Sequence, residues 1–135
     1  MNKQFFISLL FALITFVILG GLFGNFVFLP EFATWHEAYP DAVRETPDFV
    51  SGFVLGLLQL IAFVVLLPKL QITSGSGAAM FGAVYSVVIW LIVDLQMVSV
   101  TNIVSYEYVL KGALLSAVMG AIVGVVVSWS QRRFA

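Results

Sequence analysis

Polar residues punctuate this chain rather than alternating with apolar ones. Four long apolar runs, 5–29, 49–67, 78–100 and 109–129, are separated by short polar segments. Neither the strict alternation of a half-buried strand nor the one-sided stripe of a soluble amphipathic helix describes them. Each run is about as long as the roughly 20 apolar residues needed to cross a bilayer. Backbone groups in hydrocarbon have no water to bond, so each run is expected to be helical. The connections are 30–48, which holds most of the acidic residues, 68–77, which ends in Ser74-Gly75-Ser76-Gly77, and 101–108. Short connections force neighbours into opposite directions. The pattern therefore predicts an all-α integral membrane protein, an antiparallel up-down bundle of four transmembrane helices forming one membrane domain over 1–135.

Composition strengthens that reading. The chain is 61% hydrophobic and 10% charged, with a mean hydropathy of +1.09, against the roughly 25% charge of a soluble domain. A net charge of -1 offers no nucleic-acid footprint. There is no cysteine and a single histidine, His36, so thiol chemistry, thiolate metal sites and a multi-histidine centre are excluded within one chain, and no cofactor is expected. Lys3 followed by an apolar run resembles a signal peptide. The run is longer than the 7–15 residues of a signal core and no small-x-small site follows it, so it reads as a retained first helix.

Basic residues set the expected orientation. Lys3, Lys69, Arg132 and Arg133 fall on one side, Arg44 and Lys111 on the other. The side richer in Lys and Arg is retained inside, so both termini are expected to be cytoplasmic, with 30–48 as the outer loop. Within that loop Phe32, Trp35 and Tyr39 have helical spacing and suit a short interfacial helix broken at Pro40. Thr46 reads as the cap of the second helix, with Pro47 at its first position and Asp48 in its first turn. Ser74 or Ser76 reads as the cap of the third.

Helix four carries Gly112, Ser116, Gly120, Gly124 and Ser128 every four residues. Small residues at this spacing let two helices approach closely in lipid. Intramolecular packing and self-association both use such a stripe. Gly20 and Gly24, and Gly52 and Gly56, are further pairs of the same spacing.

Asp94 is the one acid inside a span. Six residues before Val100, it lies roughly 9 Å below the helix end at 1.5 Å per residue, where a carboxylate is costly and needs a partner or a function. Lys111, reaching inward from the start of helix four, and Gln59 are the candidate partners. Trp90 and Met97 share its helical face. The alternative makes Asp94 a protonatable or cation-binding site. His36-Glu37 lacks the second histidine of a zinc-protease motif, since position 40 is Pro40.

Gly20-Gly21-Leu22-Phe23-Gly24 with the aromatic stretch to Trp35, and Met119-Gly120-Ala121-Ile122-Val123-Gly124, give the chain a layout that resembles a family of small four-helix bacterial membrane proteins classified only as a domain of unknown function. The resemblance implies a bacterial inner-membrane location and no activity. Small multidrug transporters are similar in size and helix count, but they carry a membrane-embedded glutamate in helix one, which here has no acid before Glu31. The expected class is thus a non-enzymatic membrane protein, an accessory or packing subunit or a binder of a lipophilic ligand, with the lipid bilayer and a homo-oligomer or larger membrane complex as partners. The alternative is a small proton- or cation-coupled transporter or channel that uses Asp94.

Overall fold

The computed structural model describes residues 2–135, and every regular element among them is helical. Helix α1 (Lys3–Phe23) passes through a π-helical turn (Gly24–Phe28) into α2 (Leu29–Ala38), followed by α3 (Phe49–Lys69), α4 (Gly75–Val100) and α5 (Tyr106–Arg133). The first three pieces form one continuous segment, Lys3–Ala38, which with α3, α4 and α5 makes four helical segments long and apolar enough to cross a membrane.

Each start has a chemical reason. The first N–H groups of a helix lack intrahelical partners, and a preceding polar side chain supplies one. Asn2 accepts from the Phe5 amide at 3.1 Å, Asp48 from the Val50 amide at 3.1 Å, Ser74 from the Gly77 amide at 3.0 Å and Ser105 from the Tyr108 amide at 3.2 Å. Asp48, not Thr46, is therefore the cap of α3, and Ser74 is that of α4.

The helices outrun their apolar cores. The fourth begins at Tyr106 rather than 109 and ends at Arg133 rather than 129, the third begins at Gly75 rather than 78, and α3 continues through Pro68 to Lys69. The larger departure lies at Pro30. A proline inside a helix lacks an N–H and its ring crowds the carbonyl four residues back. The wider turn over Gly24–Phe28, closed by the Leu29 amide on the Gly24 carbonyl, shifts the bonding register just ahead of it. The helix continues, so α2 extends α1 instead of lying apart as an interfacial helix.

Neighbouring helices run in opposite directions. Gln4 at the start of α1 donates to the Gln131 carbonyl near the end of α5, while Gly20 lies beside Met119. Phe63 of α3 packs on Phe81 and Tyr85 of α4, ring centres 5.5 and 5.3 Å apart. The tightest contact is between α4 and α5. A Cβ on Gly120 would run into the Gly82 carbonyl and the Ser86 side chain, one on Gly82 into the Gly120 carbonyl, and one on Gly124 into the Ala78 carbonyl. The helix four stripe is thus matched within the chain by Ala78, Gly82 and Ser86, a second set four residues apart.

The other glycine pairs pack differently. Gly56 makes room for the Phe16 ring, whose nearest atom would stand 2.6 Å from a Cβ there. A Cβ on Gly21, Gly24 or Gly52 would meet nothing within 4 Å. Ala12, Leu60, Phe63, Val64, Leu67, Ala78, Val123 and Val127 form a continuous buried cluster in the half of the bundle nearer the termini. Val104, Tyr108 and Val109 form a second one at the other end, the loop end, under Phe28, Phe32 and Trp35 of the π turn and α2. The surface around both is itself apolar: Phe6, Leu10, Ile18, Phe26, Leu58, Ile92 and Leu114 are among many large exposed hydrophobic side chains.

Candidate functional site

Asp94 is buried between α4 and α5, 5% exposed, and its Oδ2 has no hydrogen-bond partner among the described residues. It points at the glycine of the neighbouring helix. A Cβ on Gly112 would stand 3.3 Å from Oδ2 and 3.8 Å from the Trp90 ring. Gly112 therefore gives the carboxyl its room, and Trp90 closes the same space.

Aromatic rings cover this region. Trp90 stacks on Phe28 with centres 5.3 Å apart and planes 12° from parallel. Phe28 meets the edge of Tyr108, and Tyr108 packs on Trp35 at 4.7 Å. The rings come from the π turn, α2, α4 and α5, so the helical extension past Pro30 builds the cover. Phe32 and Trp35 face inward here rather than lying flat on an interface, while Tyr39 is exposed.

The same extension decides the partner of Lys111. Its ammonium pairs with Glu31 at 3.5 Å, with both side chains partly exposed, and no ion pair joins it to Asp94. Gln59 also lies elsewhere. Its backbone carbonyl accepts from the Tyr85 hydroxyl at 2.9 Å, and with Tyr85, Ser86, Trp90 and Ser116 it lines a central cavity of about 30 Å³. That is space for about one water molecule. Met97, on the other flank of Asp94, is 37% exposed. Trp90 is thus the expected site residue that stands beside Asp94, while Lys111 pairs with Glu31 and Gln59 lines the central cavity.

Trp90 has a further neighbour. It forms the floor of a groove of about 380 Å³ between the first helical segment and α3, walled by Gly20, Gly21, Gly24 and Gly52 and bounded by Phe28, Phe32 and Phe49. The open sides of Gly21, Gly24 and Gly52 leave room for the groove. In the loop beyond, His36 Nδ1 lies 2.7 Å from the Val43 carbonyl and ties residues 39–43 back to α2. At the groove rim the Ser51 hydroxyl donates to Asp48 at 2.6 Å and, with the Ser51 and Val50 amides, holds that carboxyl below its ordinary value.

Three parts of this arrangement escape a reading by apolar runs: Glu31 as the partner of Lys111, Tyr108 in the aromatic cover, and the Ala78-Gly82-Ser86 set. The last has a visible signal in its four-residue spacing. The first two depend on α2 being helical and continuous with α1. Comparison with known protein families, with curated proteins and with solved structures finds no match for this chain.

Proposed function

We propose that this chain is a non-enzymatic integral membrane protein, with both termini cytoplasmic, that holds a lipophilic ligand in the groove between its first helical segment and α3. The supporting observation is the groove itself. Its volume of about 380 Å³ is in the range of small-molecule sites, roughly 300–1,000 Å³, and its walls are almost wholly apolar. It opens through glycines on a surface that lipid would cover.

The test uses Trp90 as the reporter. In a Trp35→Phe, Trp129→Phe background, a brominated fatty acid should quench Trp90 fluorescence, and Gly21→Leu or Gly52→Leu should abolish the quenching by filling the groove. Nothing stands within 4 Å of a Cβ at either position, so both variants should fold. Quenching unchanged by both leucines rejects the reading.

A second reading takes Asp94 as the proton- or cation-binding group of a small transporter or channel. Its support is the unpartnered Oδ2 of Asp94, since ionisable groups inside membrane helices are rare and usually functional. Against a pathway through one copy stands the packed cluster around Leu67 and Val127, both 0% exposed. Proton or cation flux in proteoliposomes separates the readings. Equal flux for wild type and Asp94→Asn rejects the transporter.

A further inference from the structure

Gln59 is the middle residue of α3 (Phe49–Lys69), and Ser86 lies near the middle of α4 (Gly75–Val100). In the membrane reading both side chains therefore sit close to the bilayer midplane, where hydrocarbon offers no hydrogen-bond partner. The hydrogen bond that joins Gln59 to α4 uses its backbone: the Tyr85 hydroxyl donates to its carbonyl at 2.9 Å. That bond holds residue 59 against α4 and leaves the carboxamide, with two donors and an acceptor, free.

Three observations point to a small polar occupant beside it. First, Gln59 and Ser86 line the same central cavity, of about 30 Å³, with apolar surface from Leu60, Phe63 and Val123 around it. Second, Ser86 Oγ faces Gly120, another lining residue, whose missing side chain leaves space in front of the hydroxyl. Third, no hydrogen bond to another described residue engages the Gln59 carboxamide or the Ser86 hydroxyl, yet neither is among the fully enclosed unpartnered atoms, which are Asp94 Oδ2 and Ser128 Oγ. Each thus keeps surface that a molecule in the cavity can touch. The volume suits about one water molecule, which binds where two to four polar partners surround it.

We infer that the central cavity is a binding site for one water molecule, which accepts from the Gln59 carboxamide and shares a hydrogen bond with the Ser86 hydroxyl, tying α3 to α4 in the middle of the bundle. The site needs only the membrane reading and depends on neither the glycine groove nor a role for Asp94. It matters most for the loop-end half of α3, where none of residues 49–55 is buried. With the Tyr85 bond, the water is the last polar hold on α3 before that helix reaches the groove.

The test pairs a structure of the full chain crystallised from a lipid mesophase with reversible unfolding of wild type, Gln59→Leu, Ser86→Ala and the double variant. The wild-type map should show one ordered peak within hydrogen-bond distance of both the Gln59 carboxamide and Ser86 Oγ. Each single substitution should raise the unfolding equilibrium constant about five-fold, the usual effect of losing one net hydrogen bond. The double variant should raise it little further, because the second removal finds no partner left. A map that resolves waters at the helix ends but no peak here would overturn the site. So would effects that simply multiply, since the two side chains would then act independently. Coupling without the peak would mean a direct bond between Gln59 and Ser86 and would overturn the water. A Gln59 carboxamide bonded to a second copy, with a dimer lost in Gln59→Leu, would overturn it as well. The wild-type map keeps the test decisive if a variant unfolds.

Discussion

Asp94 of α4 faces Gly112 of α5 so closely that a methyl group on Gly112 would come 3.3 Å from Oδ2. The carboxyl is accommodated by the absence of a side chain opposite it, and no hydrogen bond reaches that oxygen. The two positions should therefore be energetically coupled, and the coupling should be one of space rather than of charge.

Asp94→Ala is expected to fold as well as wild type, because it removes an unpaired buried polar group whose burial costs about 1–3 kcal/mol. Gly112→Ala is expected to destabilise wild type slightly and the Asp94→Ala background not at all. Reversible unfolding of the four proteins in mixed detergent micelles gives the coupling. A large loss in Asp94→Ala that Lys111→Met restores would point to an ion pair instead.

Gly120→Ala should behave differently. Its Cβ would collide with the Gly82 carbonyl and the Ser86 side chain, and backbone on the facing helix cannot move aside as a flexible side chain can. A loss of about 1–3 kcal/mol is expected, the usual range for overpacking. Gly21→Ala, which faces open space, should be neutral or gain up to about 1 kcal/mol from helix propensity. Thermal unfolding of the two variants side by side checks the contrast.

Lys111 and Glu31 should show a weak mutual dependence. Their contact is 3.5 Å with side chains 41% and 30% exposed, and ion pairs in contact with water contribute at most about 1 kcal/mol. A double-mutant cycle of Lys111→Met with Glu31→Gln is expected to give a coupling below about 1 kcal/mol that shrinks with added salt. The cycle of Lys111→Met with Asp94→Asn should give a smaller one.

Asp48 adds a pH dependence at the start of α3. The Ser51 hydroxyl, then the Ser51 and Val50 amides, favour its charged form and depress its folded value below 3.8. A depressed carboxylate stabilises the fold above its ordinary value and loses that contribution as pH falls through the folded one. Amide exchange at Val50 and Ser51 should therefore speed up as pH drops below 3.8, after correction for the intrinsic rate. Asp48→Asn, which still caps, should remove the dependence.

The spans were legible because hydropathy alone marks them. Their ends were not, because a helix stops where its caps are: Tyr106, Glu107, Gln131 and Arg132 are polar yet helical. Pro30 misleads for a physical reason. Its effect depends on the hydrogen bonding of the preceding turn, and nothing in an apolar run announces a change from one register to another. Ending the first helix at 29 leaves Glu31 in a loop and Lys111 without an evident partner except Asp94. Once α2 is continuous with α1, Glu31 meets Lys111. The stripe on α5 was readable from spacing; the face that receives it, Ala78, Gly82 and Ser86, carries the same four-residue spacing in α4, and their pairing is seen when α4 and α5 are set side by side.

The widened turn over Gly24–Phe28 also works as a phase shifter. One residue more or less in a helix rotates everything beyond it by about 100°. Trimming a single residue from that turn would leave the span long enough and just as apolar, yet swing Phe28, Phe32 and Trp35 off the rings they cover and carry Glu31 away from Lys111. The identity of the loop end is thus set by how many residues precede it as much as by which ones compose it.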